Sequence, residues 1–282
     1  MNVEMAMPLY QGIFAGREQT WLEAGQGRVI VLLHGISSGA ASWIKQLEDP
    51  RLTQACRVMA WDAPGYGRSA DLMNAQPNAD DYAQRLAVWL TGIGVEQVLL
   101  VGHSLGALIA SAYAARYPER IASLVLVDPA QGYGTADEAQ RNQVFEQRRH
   151  AINVLGAGEY ARQRAGHLLK ESAAEGDIER IRVGMRRLRP GGFLAAAWML
   201  ANDDIGRYLS AYCGRLQIWC GDQDKVTPPA GARRLAERYA APFSLLPKAG
   251  HASYLDAPEV FNRYLLQLVD EWDTPATGVL ES

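Results

Sequence analysis

The chain has 282 residues, of which 48% are apolar, 21% charged and 9% aromatic, a balance typical of folded globular proteins. This composition excludes disordered and collagen-like chains. The 28 Lys and Arg residues face 31 Asp and Glu residues, so the formal charge is −3 and gives no general attraction for a nucleic-acid backbone. Nucleic acid is therefore not an expected partner.

The N-terminal segment shows no targeting signal. Residues 1–8 include the acidic Glu4 and lack a basic stretch followed by an apolar one. The longest apolar stretch, residues 98–115, is interrupted by Gly102, His103 and Ser104, so it does not fit a lipid-facing span. We therefore expect a cytoplasmic protein without a membrane partner.

The three cysteines, Cys56, Cys213 and Cys220, form neither a paired disulfide framework nor a C-x-x-C metal-binding spacing. We interpret all three as reduced residues of the core. The histidines and cysteines show no zinc spacing, and no phosphate-binding or dinucleotide-binding glycine motif is present. The sequence therefore implies no metal and no cofactor.

Six β-type runs recur along the chain, with helical patterns between them. The runs at residues 29–33 and 98–101 are apolar at every position, which predicts strands that are buried on both faces. We therefore expect an α/β fold with a mostly parallel central sheet flanked by helices. The predicted strands are residues 29–33, 57–61, 97–101, 123–127, 216–220 and 243–246.

Three helices of this fold are predicted, the first and the third of them from the spacing of apolar residues. The first covers residues 82–93, with Asn78 as its N-cap, and the second runs from about residue 105 to 116. The third begins at Pro258, a favoured first helical position, and its apolar face extends to residue 272. Residues 274–282 then form an expected loose tail.

Between the fourth and fifth predicted strands the pattern changes to helical stretches rich in Arg and Ala. We interpret residues 132–212 as a helical cap inserted into a core made of residues 1–131 and 213–282. The charge pattern favours solvated arginines, and the alternative is that one turns inward to hold a substrate carboxylate. The sequence does not choose among Arg148, Arg149, Arg162, Arg164, Arg180, Arg182, Arg186, Arg187 and Arg189.

A Gly-x-Ser-x-Gly motif at residues 102–106 lies between a predicted strand and a predicted helix. Gly102 and Gly106 give room for a tight strand-to-helix turn that exposes Ser104. A serine hydroxyl is a poor nucleophile at neutral pH, so this interpretation requires a histidine as base and an acid to orient that histidine. The structural alternative is a glycine-rich turn with an incidental serine.

His251 fits the base best of the five histidines, because it follows the last predicted strand and so lies at the same sheet edge as the serine. Three aspartates are candidates for the acid. Asp224 lies in the loop after the fifth predicted strand, Asp222 lies nearer that strand as a turn former, and Asp128 ends the fourth. The chain order Ser, Asp, His favours Asp224, with Asp128 as a variant.

From about residue 20 to 272 the chain resembles the α/β-hydrolase family. The resemblance rests on His34-Gly35, the segment 62–69, the Gly-x-Ser-x-Gly motif, the segment 221–228 and Gly250-His251. It implies that Ser104 is the nucleophile, Asp224 the acid and His251 the base. It also implies an oxyanion hole formed by the backbone N–H groups of Ile36 and Leu105. We interpret segment 62–69 as structural.

This resemblance implies a serine hydrolase that cleaves a small-molecule ester or lactone through an acyl-enzyme on Ser104. One alternative is a hydrolase of carbon–carbon bonds in dienoic ring-cleavage products, although Ala252 stands where those enzymes usually carry a tryptophan. Another is a non-catalytic receptor for a small ligand on the same fold. A small-molecule substrate is the expected partner, and assembly into a homo-oligomer is left open.

Overall fold

The computed structural model describes residues 7–273, which contain one eight-stranded sheet. Its strands are β1 (Leu9–Phe14), β2 (Arg17–Ala24), β3 (Arg28–Leu33), β4 (Cys56–Trp61), β5 (Val98–His103), β6 (Ile121–Val127), β7 (Leu216–Gly221) and β8 (Phe243–Leu246). The strand order is β1-β2-β4-β3-β5-β6-β7-β8. Strand β2 pairs antiparallel with β1 and β4, and all other neighbours are parallel.

The predicted α/β fold with a mostly parallel sheet is confirmed, and each predicted strand is present within two residues of its expected limits. The prediction missed β1 and β2. Strand β1 lies at the sheet edge and is largely exposed, whereas β2 buries the polar residues Gln19 and Thr20. The buried polar groups of β2 form hydrogen bonds with Asp62 and Ser69. Because β1 is exposed and β2 is partly polar, neither strand shows a simple apolar pattern.

The sheet is flanked by helices that lie before β6 and after β7 in the sequence. They are α1 (Ile44–Leu47), α2 (Pro50–Ala55), α3 (Ala79–Gly92), α4 (Leu105–Arg116), α10 (Pro229–Arg238), α11 (Ser253–Asp256) and α12 (Pro258–Asp270). Helix α3 begins with the predicted Asn78 cap, which forms a capping box with Asp81. Helix α12 begins at the predicted proline, and the predicted tail at residues 274–282 lies outside the described residues.

Between β6 and β7 the described chain is mainly helical. This insertion contains α5 (Glu138–His150), α6 (Gly156–Arg164), α7 (Glu175–Arg186), α8 (Pro190–Asn202) and α9 (Ile205–Leu209), with a π-helical turn at Ala151–Leu155. It packs closely on segment 62–69, where a Cβ on Gly65 would lie 2.4 Å from Gly192 Cα. It also contacts the loop after β8, since Ala252 N donates to Leu168 O at 2.7 Å.

The cysteine prediction is wrong for one of the three residues. Cys56 and Cys220 are buried and free, as expected, but Cys213 is free and exposed. It lies in the turn between α9 and β7, where the chain crosses the surface before it enters the sheet. Among residues 7–273, no helix combines the length and the apolar composition that crossing a membrane requires.

The turn from β5 into α4 is tight because three stretches of backbone meet there. Ser104 has φ 51° and ψ −115°, a conformation that costs a residue with a side chain about 1–3 kcal/mol. A Cβ on Gly102 would lie 2.4 Å from Gly106 O, and a Cβ on Gly106 would lie 2.5 Å from Leu33 O. The two glycines therefore permit the close approach that holds Ser104 in place.

We expect Gly106→Ala to lower the free energy of unfolding by about 1–3 kcal/mol, because the added methyl group must displace the Leu33 carbonyl. Gly184→Ala is the matched control. A Cβ at that position of α7 would meet nothing within 4 Å, and the variant should gain about 0.4–1 kcal/mol. Urea denaturation followed by circular dichroism measures both changes, and similar effects in the two variants would contradict the close-approach explanation.

Candidate active site

Three side chains from distant parts of the chain meet at the carboxyl ends of the central strands. His251 Nε2 lies 3.0 Å from Ser104 Oγ, and His251 Nδ1 lies 2.9 Å from Asp224 Oδ2. In this arrangement the Ser104 hydroxyl donates to Nε2, and the Nδ1–H group donates to the carboxylate. The structure therefore brings together Ser104, Asp224 and His251, the three residues that the sequence predicted for this site.

Main-chain contacts position the serine and the histidine. Ser104 N donates to Val127 O at 2.9 Å, which ties the turn to the end of β6. The buried His103 donates from Nε2 to the main-chain carbonyl of His251 at 2.8 Å. Burial lowers the pKa of His103 to about 3, so this imidazole is neutral and serves as a fixed donor beneath the His251 loop.

The loop after β7 holds the Asp224 carboxylate in a fixed orientation. Its Oδ1 accepts from Val226 N at 2.7 Å and Thr227 N at 3.0 Å, and its Oδ2 accepts from His251 Nδ1. Burial acts to raise the pKa of Asp224, but hydrogen bonds from His251 and Thr227 outweigh it, and the net shift is downward. The carboxylate is therefore charged beside the imidazole at neutral pH.

The sequence analysis missed Thr227 as a member of this site. Its hydroxyl lies 2.7 Å from Asp224 Oδ2, 3.1 Å from His251 Nδ1 and 2.9 Å from Asp128 O. Thr227 thus fixes the carboxylate on the side facing the histidine. The sequence signal was the spacing Asp-x-x-Thr, in which an aspartate side chain accepts from the backbone two and three residues further on.

The alternative acids contact other groups. Asp128 is fully buried; its Oδ1 accepts from Gly221 N at 2.7 Å and its Oδ2 from Ser253 Oγ at 2.5 Å. Asp222 is exposed and accepts from Ala249 N at 3.1 Å, which is the turn role considered for it. Asp224 is thus the aspartate whose side chain is hydrogen-bonded to His251.

Asp128 and Asp224 lie close together with Cys220, with potential ligand atoms within 4.8 Å of one another. Both carboxylates already accept hydrogen bonds from the donors described above. Burial raises the pKa of the Cys220 thiol, so it stays protonated, and a protonated thiol is a poor metal ligand. This donor set fits a hydrogen-bonded cluster better than a cation site.

Two backbone N–H groups beside Ser104 are free to bind a substrate oxygen. Leu105 is the first residue of α4, whose N–H has no partner within the helix, and Ile36 N donates to no acceptor in the described part of the chain. The Ile36 loop is close to the serine, since a Cβ on Gly35 would lie 3.1 Å from Ser104 Cβ. Tyr66 holds this loop from segment 62–69 by donating to Ile36 O at 2.8 Å.

A cavity of about 640 Å³ lies next to these groups and is lined by both the sheet loops and the insertion. This volume is typical of small-molecule sites, which span about 300–1,000 Å³. Ser104, His251, Ile36 and Leu105 face it from the strand ends. From the insertion it is lined by Gln147, Arg148, Ala151, Tyr160, Arg164, Leu168, Met185 and Leu200.

The buried Asp128 makes the stability of the fold depend on pH. Burial and, second, the charge of Asp224 raise the pKa of Asp128 to about 7. Below about pH 4 the carboxyl is protonated in both the folded and the unfolded chain; above it the unfolded chain loses this proton first. The stability contributed by the protonated group is therefore lost as the pH rises towards about 7.

We expect Asp128→Asn, which resembles the protonated carboxyl, to show a smaller loss of unfolding free energy between about pH 4 and pH 7 than the wild type. Chemical denaturation at a series of pH values measures this slope. Asp222→Asn is the matched control and should keep the wild-type slope because its carboxylate is exposed. An unchanged slope in Asp128→Asn would show that the proton is not held at this residue.

Comparison with known proteins identifies the family of this chain. The sequence model of the alpha/beta hydrolase fold matches residues 28–258. The dihydrolipoyllysine-residue acetyltransferase component of the acetoin cleaving system of Pseudomonas putida is 29% identical over 265 residues, which cover 89% of this chain and 66% of that protein. The chain thus spans just under two thirds of that curated relative.

Two solved structures illustrate the likeness in fold. A thermophilic esterase from Thermogutta terrifontis has a TM-score of 0.84 at 24% identity, with 95% of this chain and 100% of that chain covered. The enol-lactonase from Burkholderia xenovorans LB400 has a TM-score of 0.82 at 19% identity, with 93% and 100% covered. With the sequence match over most of its length, the chain belongs to the alpha/beta hydrolase fold family, as its motifs predicted.

Proposed function

We propose that the chain is a serine hydrolase that cleaves a small-molecule ester or lactone through an acyl-enzyme on Ser104. The observation that carries this proposal is the hydrogen-bonded series Ser104–His251–Asp224 at the wall of a cavity large enough for a small substrate. In the first step His251 takes the proton of Ser104 as its oxygen attacks the carbonyl carbon. The charged Asp224 stabilises the imidazolium that forms.

His251 then gives this proton to the leaving alcohol oxygen as the ester bond breaks. A water molecule, deprotonated by the same imidazole, attacks the acyl-enzyme, and Ser104 recovers its proton as the carboxylic acid leaves. In a lactone the leaving oxygen remains attached to the acyl group. The three side chains therefore return to their starting protonation states after each turnover.

Negative charge on the substrate oxygen is stabilised by the free N–H groups of Ile36 and Leu105. Preorganised donors of this kind contribute about 2.7–4 kcal/mol each to the transition state, because their energy is largest when the carbonyl oxygen becomes an oxyanion. The N-terminus of α4 adds a favourable dipole at the same place. The proposed oxyanion hole thus uses backbone atoms that the turn at Ser104 and the Tyr66 contact hold still.

Residues 132–212 form a helical cap in this proposal, over a core of residues 1–131 and 213–282. The contribution of the insertion to the cavity wall supports this division. The proposed substrate class is supported by two fold neighbours, described as an esterase with bound malate and an enol-lactonase.

A fluorophosphonate probe tests whether Ser104 is an activated nucleophile. We expect stoichiometric labelling of Ser104 in the wild type, no labelling in Ser104→Ala and strongly reduced labelling in His251→Ala, measured by intact-protein and peptide mass spectrometry. Ser37→Ala, which changes another serine of the cavity wall, is the control and should be labelled. A folded wild-type protein that stays unlabelled would favour the non-catalytic receptor.

A second test assigns the acid. We expect Asp224→Asn to lower kcat for 4-nitrophenyl acetate by about three to four orders of magnitude, because the imidazole loses the acceptor that fixes its tautomer. The exposed Asp222→Asn should retain wild-type kcat. Near-normal turnover in Asp224→Asn together with collapse in Asp128→Asn would reverse the assignment.

A further inference from the structure

The cavity beside Ser104 has an unbalanced charge. Three arginines, Arg148, Arg164 and Arg234, contribute to its wall, and none of its described lining residues is an Asp or a Glu. The carboxylate of Asp224 is satisfied by its own loop and by His251. The chain as a whole has a formal charge of −3, so this excess of positive charge is local to the cavity.

Arg148 is the inward-facing arginine that the sequence could not identify. It lies in the last turn of α5, is partly buried and donates from Nη1 to Val144 O of its own helix at 2.9 Å. Within residues 7–273 the other N–H groups of its guanidinium have no hydrogen-bond acceptor, and no carboxylate forms an ion pair with it. Two exposed arginines of the insertion differ, since Arg149 pairs with Glu146 and Arg162 pairs with Glu159.

The surroundings of Arg148 leave a place for an anion. Burial lowers the pKa of Arg148, and the charge of Arg164 acts in the same direction, yet a guanidinium stays protonated in proteins. A partly buried cation beside a second cation and without a counter-ion is unfavourable until an anion binds. The structure thus contains a desolvated fork of N–H donors facing the same cavity as the proposed nucleophile.

Tyr160 links this region to the carbonyl side of the cavity. It lines the cavity near Arg148, and its hydroxyl lies 3.2 Å from Ser37 Oγ. Ser37 follows Ile36, whose N–H group is one of the two proposed oxyanion donors. A substrate with its carbonyl at Ser104 and an anionic group at Arg148 would therefore lie along one continuous wall.

We infer that the substrate of this site carries a carboxylate, which Arg148 binds while the ester or lactone carbonyl lies at Ser104. The inference rests on the proposed serine-hydrolase function and adds the substrate class. A planar guanidinium matches a carboxylate through two parallel N–H···O bonds, which makes Arg148 a specificity-determining residue. Arg164 and Arg234 are exposed and add positive charge to the cavity wall, which attracts the anion.

Two pairs of matched substrates test this inference. The first pair places the carboxylate on the acyl side of the scissile bond, and the second places it on the leaving-group side. Mono(4-nitrophenyl) adipate is compared with 4-nitrophenyl hexanoate, and 4-acetoxybenzoate with 4-methylphenyl acetate. We expect kcat/KM to favour the anionic member of at least one pair by about 10- to 100-fold, the range of a charge-assisted pair of hydrogen bonds. No preference in either pair would overturn the inference.

Variants then attribute the preference to one residue. Arg148→Met should remove the preference, with a loss of kcat/KM at least tenfold larger for the anionic ester than for its neutral partner, and Arg148→Lys should restore part of the preference. Arg149→Met, the exposed neighbour on the same helix, should leave both pairs unchanged. A preference that survives Arg148→Met, or an equal loss on neutral and anionic esters, would contradict the assignment. Circular dichroism verifies that each variant is folded.

A binding measurement separates this inference from the proposed function. Ser104→Ala protein is titrated with adipate by calorimetry, with and without the additional change Arg148→Met. Binding that is at least tenfold weaker in the double variant supports the inference even if no ester is cleaved, and absence of binding in Ser104→Ala overturns it. Ser104-dependent cleavage of neutral esters without anion preference would leave the proposed function standing alone.

Discussion

The backbone of Ser104 adopts φ 51° and ψ −115°, and the rest of the site depends on the packing that keeps it there. Such a conformation is unfavourable by about 1–3 kcal/mol and persists only where the surroundings determine it. Here Gly102 and Gly106 allow the backbones to touch, and Ser104 also receives a hydrogen bond on its carbonyl from Ala130 N. The same turn places Oγ within 3.0 Å of His251 Nε2 and leaves Leu105 N–H free. The proposed nucleophile and one proposed oxyanion donor are thus positioned by one local distortion.

The second constraint is electrostatic. Two carboxylates lie near each other beneath the imidazole, and a pair of like charges in a buried site cannot easily both be ionised. Hydrogen bonds and burial divide the roles. Asp224 accepts from His251, Thr227 and a backbone turn and is charged, whereas burial and the charge of Asp224 let Asp128 hold its proton to about pH 7. Below about pH 7, His251 therefore faces the single negative charge of Asp224. This arrangement stabilises an imidazolium without placing a second charge in the core.

The sequence could predict those parts of the molecule that follow from residue patterns along the chain. Buried strands show as apolar runs, and residues just beyond their carboxyl ends must meet at one sheet edge, so Ser104, Asp224 and His251 could be identified together. Strands β1 and β2 could not, because one is exposed at the edge and the other buries polar groups whose partners lie on a distant loop. The exposure of Cys213 was missed because residue type alone suggested burial.

Ser253 and Arg148 belong to a different class, since their significance arises from contacts that form only in the folded chain. Ser253 acts on Asp128 across 125 positions of the sequence at 2.5 Å, a relation that no local pattern encodes. Arg148 and Arg149 are adjacent in the sequence, and both are flanked by polar residues of the same helix. Their difference appears only in three dimensions, where Arg149 pairs with Glu146 and Arg148 faces a cavity without an acid.

The insertion forms hydrogen bonds with the loop of the proposed base, His251, and also lines the cavity. Asp256 Oδ2 accepts from Lys170 N at 2.7 Å and from Gly250 N at 2.8 Å, so a single carboxylate oxygen connects the insertion with the residue before His251. Ala252 N, on the other side of the histidine, donates to Leu168 O. Residues 168–170 therefore fix the position of the imidazole relative to Ser104. A shift of this segment would move the imidazole and break its hydrogen bond with Ser104, on which the proposed mechanism depends.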